Sequence, residues 1–387
     1  MKRRTVWRTA ATAVSLAVSL VALPAQAHAT PSGDLAPARA QALVEQLESM
    51  PAAGRARADS LQEQVGADDG LSADPTLSTD LINPADYQCT TSTPVRDWAA
   101  ATTADWTASD AGVANLFQQI VLLDAVLFPD GDGNAFGTDG EFSTQVGHTI
   151  RDLRKFWDID GSRVRVVPMH SDVLLDRAEL SRVFGVGFGF DETTSAQLAD
   201  AVAQLADQDK FDHGLHPLFT FNAFAVDTLD VPGLGTIPPE IVMGDGVLEG
   251  FRAVGLDDVA PQAILAHEYG HHVQYQKDLF TSELTGPEAS RRTELMADSF
   301  GSYFLTHARG ESMRWKRVQE FSQVFFQLGD CSFTAASHHG TPNQRLHAVQ
   351  WGYGVARDAR NQGHILPSAV FADRFEQELP TLVAPDA

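Results

Sequence analysis

The sequence predicts an α+β fold, with a small mixed sheet ahead of one chemistry-bearing helix and a mainly helical C-terminal part. Three observations carry this. The segments with strand character, 163–169, 216–226 and 241–244, are short and all fall mid-chain. After about residue 258 the apolar residues recur at helical spacing, over 258–276, 286–307, 311–328, 342–361 and 367–378. Finally, His267 and His271 stand one helical turn apart in the first of those helices, and Glu294 and Asp298 one turn apart in the second, so each pair shares a helix face.

The chain has 387 residues and is 43% hydrophobic, enough for a sizeable core. It opens with Lys2, Arg3, Arg4 and Arg8, continues with an apolar run from Ala10 to Leu23, and reaches small residues at Ala25, Ala27 and Ala29. That is the pattern of a signal peptide over 1–29, cleaved after Ala27 or Ala29, with an apolar run too short to span a bilayer comfortably. The Arg3–Arg4 pair leaves twin-arginine export open beside the general route. Residues 30–82 are rich in Ala, Asp, Ser and Gly and read as a flexible leader or pro-segment, with one helix predicted at 37–50. The globular domain is 83–387. No later segment has the 18 or so uncharged apolar residues of a membrane span, so the expectation is a secreted or extracytoplasmic protein without stable membrane insertion.

Acidic residues outnumber basic ones 51 to 28, a formal net charge of −23, which argues against nucleic acid as a partner because a phosphate backbone would be repelled. Cys89 and Cys331 are the only two cysteines. In an exported chain that count predicts one disulfide. The alternative is a latency switch, with Cys89 as a temporary metal ligand.

Within the domain, helices are predicted at 111–127, 145–157 and 193–206. Between the first two lies an acidic loop that places Asp130, Asp132, Asn134 and Glu141 at calcium-ligand positions of a twelve-residue loop. Ala135 stands where the sharp turn normally takes glycine. Two readings follow, a Ca2+ site or a Gly/Asp turn joining two helices. The segment 241–244, shortly before the histidine-bearing helix, is the candidate edge strand for pairing with an extended peptide; the alternative is a fully paired core strand.

His267 and His271 can aim both imidazoles at one metal ion, and Glu268 sits beside them, placed to take a proton from a water polarised by that ion. Zinc enzymes generally use three protein ligands plus water, and Glu294 supplies the third. Asp298, one turn on, is placed to accept a hydrogen bond from a ligand histidine and fix its tautomer. Asp257 and Asp258 suit the N-cap of the first helix, and Pro261 is tolerated in its first turn. His272 is expected to point away from the ligand face, and Tyr269 reads as a core residue rather than a catalytic one.

Three segments, 267–274, 294–298 and 339–345, together resemble the gluzincin class of zinc metallopeptidases and, more narrowly, the bacterial neutral zinc metallopeptidase family. In that family the second segment typically reads Glu-Leu-x-Ala-Asp and the third His-Gly-Thr-x-x-Gln-Arg, as both do here. The resemblance covers about 240–357, under a third of the chain. It implies a zincin-like fold, Zn2+ held by His267, His271 and Glu294, Glu268 as general base and acid, and a peptide or protein substrate. It favours His339 over His338 and Tyr353 as the donor to a developing oxyanion. The other reading of His339 is that it merely precedes a helix capped by Thr341, Pro342 and Gln344. Ser299 departs from the family, which often has cysteine there. A rival reading is a non-catalytic, metal-stabilised extracellular binding protein with a vestigial site, and a third is a zinc hydrolase acting on a non-peptide amide.

Overall fold

A computed structural model describes residues 15–16, 82–129, 135–335, 337–358 and 363–386. The expected leader with its predicted helix, the expected signal segment apart from Ser15–Leu16, and the loop residues Asp130, Asp132 and Asn134 lie outside the described residues.

The fold is mixed α+β and mostly helical. Its sheet contains β1 (Ser15–Leu16), β2 (Arg165–Met169), β3 (Ala223–Val226) and β6 (Glu240–Gly244), in the order β1-β3-β6-β2; β4 (Leu229–Val231) and β5 (Gly235–Ile237) form a separate hairpin. β2 runs parallel to β6, with Met169 opposite Gly244, whereas β3 is antiparallel to β6, with Ala225 opposite Ile241.

This arrangement corrects the edge-strand expectation for 241–244. β6 is paired on both sides and buried at every residue. β3 is paired on its other side by Ser15–Leu16, so among the described residues the outer strands of this sheet are β1 and β2. β6 is a continuous apolar run because both faces of the sheet are covered. Ile241 and Met243 enter one core, built on the histidine-bearing helix and the C-terminal helices. Val242, with Phe224 and Val226 of β3, enters a second core of mid-chain helices. The predicted strand at 216–226 is extended only from Ala223. Pro217 opens a 3-10 turn, Pro217–Thr220, in which the His216 ring accepts the Leu218 N–H at 3.3 Å.

The helices are α1 (Pro94–Thr102), α2 (Ala108–Leu127), α3 (Ser143–Phe156), α4 (Arg177–Val186), α5 (Glu192–Ala206), α6 (Asp245–Ala253), α7 (Ala260–Lys277), α8 (Gly286–Thr306), α9 (Trp315–Leu328), α10 (Pro342–Arg357) and α11 (Ser368–Leu382). The strongly periodic ones agree with the sequence within a few residues; α1, α4, α6 and the β4–β5 hairpin carried too short a pattern to be read. α2 is long and apolar enough to cross a membrane, but most of it is buried in the second core.

Two glycines set the distance between α7 and α8. A Cβ on Gly270 would lie 3.1 Å from the Ala297 Cα, and one on Gly301 would lie 3.3 Å from the Ala266 carbonyl carbon. A Cβ at either position would push the facing backbone back by a few tenths of an ångström. Ser299 packs at the next interface, donating to the carbonyls of Leu295 and, on α10, Ala348. Cys89 and Cys331 are joined, so neither offers a thiol as a temporary metal ligand.

Candidate metal centre

α7 is buried on all sides from Ala263 to Gln274, and so is α8 from Arg291 to Thr306. Helices covered all round need no amphipathic stripe, which frees their mutual interface for polar residues. The N-cap of α7 is Val259 rather than either predicted aspartate, with Pro261 in the first turn as expected. Asp278, in the left-handed conformation at φ 57°, ends the helix and starts the turn back into α8.

That turn brings His267, His271 and Glu294 together. The two Nε2 atoms are 3.1 Å apart, Glu294 Oε2 is 3.3 Å from His267 Nε2, and Oε1 is 3.3 Å from His271 Nε2. All three side chains are fully buried. Two imidazole edges facing each other compete for one proton, and neither Glu294 oxygen makes a hydrogen bond. A cation between the three would satisfy all of them at once. This donor set can hold a metal ion.

The opposite edge of each ring is fixed. His267 Nδ1 donates to Asp298 Oδ1 at 2.7 Å, and His271 Nδ1 donates to Gln274 Oε1 at 2.7 Å. Gln274 in turn donates to the Thr293 carbonyl at 2.8 Å. Arg345, also fully buried, grips Asp298 with both arms of its guanidinium, Nε to Oδ2 at 2.8 Å and Nη2 to Oδ1 at 2.6 Å. With the ring proton placed on Nδ1 by these acceptors, the neutral form of each ring presents the Nε2 lone pair to the cluster.

The electrostatics match. Burial disfavours a charged Glu294, yet His271 and His267 hold its carboxyl well below the ordinary value. Burial lowers the His271 pKa. It would lower His267 as well, but the Asp298 and Glu294 carboxylates raise that group to about 9. The cluster therefore attracts one positive charge. Glu268, next to His267, is fully buried with no partner on either oxygen, and burial pushes its pKa well above the usual value. It is a carboxyl poised to hold a proton.

His339 reaches the site from the α9–α10 connection. Its N–H and its ring Nδ1 both donate to Asp330 Oδ2, at 2.8 and 3.1 Å, while Asp330 Oδ1 takes the His338 ring at 2.6 Å. Burial works against the charged His339 ring, but Asp330 and the nearby Glu294 charge together raise its pKa. The capping box of Thr341 and Gln344 is also formed, with Pro342 in the first turn; His339 is held on Asp330 besides preceding a capped helix. His272 turns to the sheet and donates to the Glu240 carbonyl at 2.9 Å, and Tyr269 lies in the core.

Glu141, the last of the loop's calcium-ligand positions, pairs with Arg252 and accepts the Asp139 N–H at 3.0 Å. Among the described residues the one histidine, cysteine or carboxylate cluster suited to a metal is His267, His271 and Glu294. Sequence reasoning missed Gln274, Asp330 and the role of Arg345. Gln274 and Arg345 do lie inside the segments that carry the family resemblance; Asp330 had no such signal.

The fold and the site thus define a mixed α+β protein with a buried two-histidine, one-glutamate centre between paired helices. No protein-family model matches the chain, nor does any curated protein or solved structure.

Proposed function

We propose that this protein is an exported zinc-dependent metallopeptidase with a zincin-like fold. The observation that carries the proposal is the donor triangle. Its edges of 3.1, 3.3 and 3.3 Å compare with about 3.3 Å between ligands held ~2.0–2.1 Å from a tetrahedral ion. Two imidazoles and one carboxylate are a catalytic rather than a structural zinc set, because a fourth position is left for water or substrate. The disulfide agrees with an oxidising compartment outside the cytoplasm.

Bound zinc supplies Lewis acidity, lowering the pKa of a water and polarising a carbonyl. The protein does the rest. Glu268 accepts a proton beside the ligands and returns it to the leaving amine, a role its burial tunes by raising its proton affinity. His339, held by Asp330, donates to the oxygen on which charge develops. Asp298 with Arg345, and Gln274, hold the ligand imidazoles in one tautomer. An extended substrate pairs with β3 in the place of Ser15–Leu16 once the signal segment is cleaved; α7 reaches that strand through the Tyr275 hydroxyl, 3.4 Å from the Ala225 carbonyl.

A second reading is favoured by the complete burial of His267, Glu268, His271 and Glu294: a metal-stabilised binding protein without turnover. One experiment separates the two. Zinc content and hydrolysis of an unfolded protein are measured on the wild type, His267→Ala and Glu268→Gln. The peptidase reading expects about one zinc per chain, lost in His267→Ala. Glu268→Gln should keep the zinc and lose activity by about 10²–10⁴-fold. Zinc without hydrolysis of any unfolded protein would install the binding protein, and no zinc after reloading would sink both.

A further inference from the structure

The Cys89–Cys331 disulfide closes a separation of 242 residues and lands one residue from Asp330, the carboxylate that holds His339. We propose that this bond, with the chain arm that carries Cys89, fixes the orientation of the His339 ring on Asp330, so that opening it releases the ring. The effect on turnover rests on the peptidase reading; the effect on the ring does not.

Every link is a short contact. Cys89 Sγ approaches the Asp330 carbonyl at 3.4 Å. Farther along the same arm, the Val95 N–H donates to Gln327 Oε1 at 2.8 Å and Arg96 Nη2 donates to the Gly329 carbonyl at 2.5 Å. The arm therefore grips residues 327–331 at three places and covalently at one. Asp330 closes the following loop on itself: its N–H donates to the Gly340 carbonyl at 2.9 Å, and its carboxylate collects the Ser332 N–H, both histidine rings and the His339 N–H. A carboxylate with that many donors fixes ring orientation only if its own backbone is fixed. Around the bond the arm is exposed at Gln88 and Thr90, while Tyr87 stacks on Phe333 and Val95 is buried; the disulfide is the covalent member of this set of contacts.

The bond is also reachable. A solvent-open groove of about 360 Å³ is lined by Gln88, Cys89, Thr90, Pro342 and Asn343. A phosphine entering there reduces the disulfide to two thiols and becomes its oxide, taking the oxygen from water. His267, His271 and Glu294 sit on α7 and α8, which the arm does not carry, so the metal ligands stay in place.

The test reads the hydrogen-bonded imidazole N–H resonances of His338 and His339 by NMR in the zinc-loaded protein, assigned by their loss in His338→Ala and His339→Ala. Two preparations break the bond: tris(2-carboxyethyl)phosphine acting on the folded protein, and the Cys89→Ala/Cys331→Ala double variant. In at least one of these, zinc content and far-ultraviolet circular dichroism should be retained while the His339 resonance broadens or disappears. kcat should then fall about tenfold to a hundredfold with little change in KM, and no further in a His339→Ala background. Unchanged resonances in protein with two titratable thiols would overturn the proposal. So would loss of zinc or of helical signal in both preparations, which would make the bond a general structural tether. A wild type without hydrolysis would remove the peptidase reading alone, and the resonances would still decide the positioning.

Discussion

Asp298 Oδ1 accepts from two donors at once, His267 Nδ1 at 2.7 Å and Arg345 Nη2 at 2.6 Å. The guanidinium thereby fixes the imidazole of a candidate metal ligand from 78 residues away in sequence. With Arg345 gripping both of its oxygens, the Asp298 carboxylate cannot turn away from the imidazole.

Arg345→Gln should therefore weaken the metal centre without touching a ligand. Zinc affinity is expected to fall about 10–100-fold, measured by competition with a chromogenic chelator. Asp298→Asn should cost a similar factor, and the double variant little more, because both act through His267. Additive losses would show that Arg345 acts by another route.

Removing the metal should destabilise the fold. The empty cluster buries Glu268, Glu294, Asp298, His267 and Arg345 together, and a ligand bound only by the native state adds about 4 kcal/mol at a thousand times its Kd. Chelation followed by dialysis should lower Tm by roughly 5–10 °C, and zinc should restore it. An unchanged Tm would mean that little metal binds.

Two glycines on α10 should respond oppositely to alanine. A Cβ on Gly352 would lie 2.6 Å from the Ser299 carbonyl oxygen on α8, whereas one on Gly354 meets nothing within 4 Å. Gly352→Ala is expected to lose about 1–3 kcal/mol by forcing the helices apart. Gly354→Ala should gain up to ~1 kcal/mol from helix propensity. Urea denaturation midpoints at equal m-value decide both.

Asp124 on α2 should make stability fall as pH rises. Burial, then the Glu179 and Asp172 charges, raise its carboxyl from 3.8 to about 7, with Arg182 opposing. A group whose native pKa is raised contributes stability that is complete below about pH 4 and is lost as pH passes the native value near 7. Asp124→Asn should therefore stabilise by roughly 1–3 kcal/mol at pH 8 and by much less at pH 5. Equal effects at the two pH values would refute the shift.

The sequence by itself determined the helices that carry strong 3.6-residue periodicity, the small sheet ahead of them, the pairing of Cys89 with Cys331, and the three donors that converge. A fixed helical period places His267 beside His271 whatever the surroundings, and two cysteines leave one pairing. Gly270 and Gly301 are visible as letters, but their purpose emerges only when α7 and α8 lie against each other. The tertiary structure alone decided that β6 is an inner strand, because pairing on both its sides depends on β2 and β3 and not on β6's own residues. It alone recruited Gln274, Arg345 and Asp330 to the histidines. A buried hydrogen bond between residues distant in the chain has no local pattern; it exists because burial makes an unpaired polar group costly, and folding brought the partners into reach.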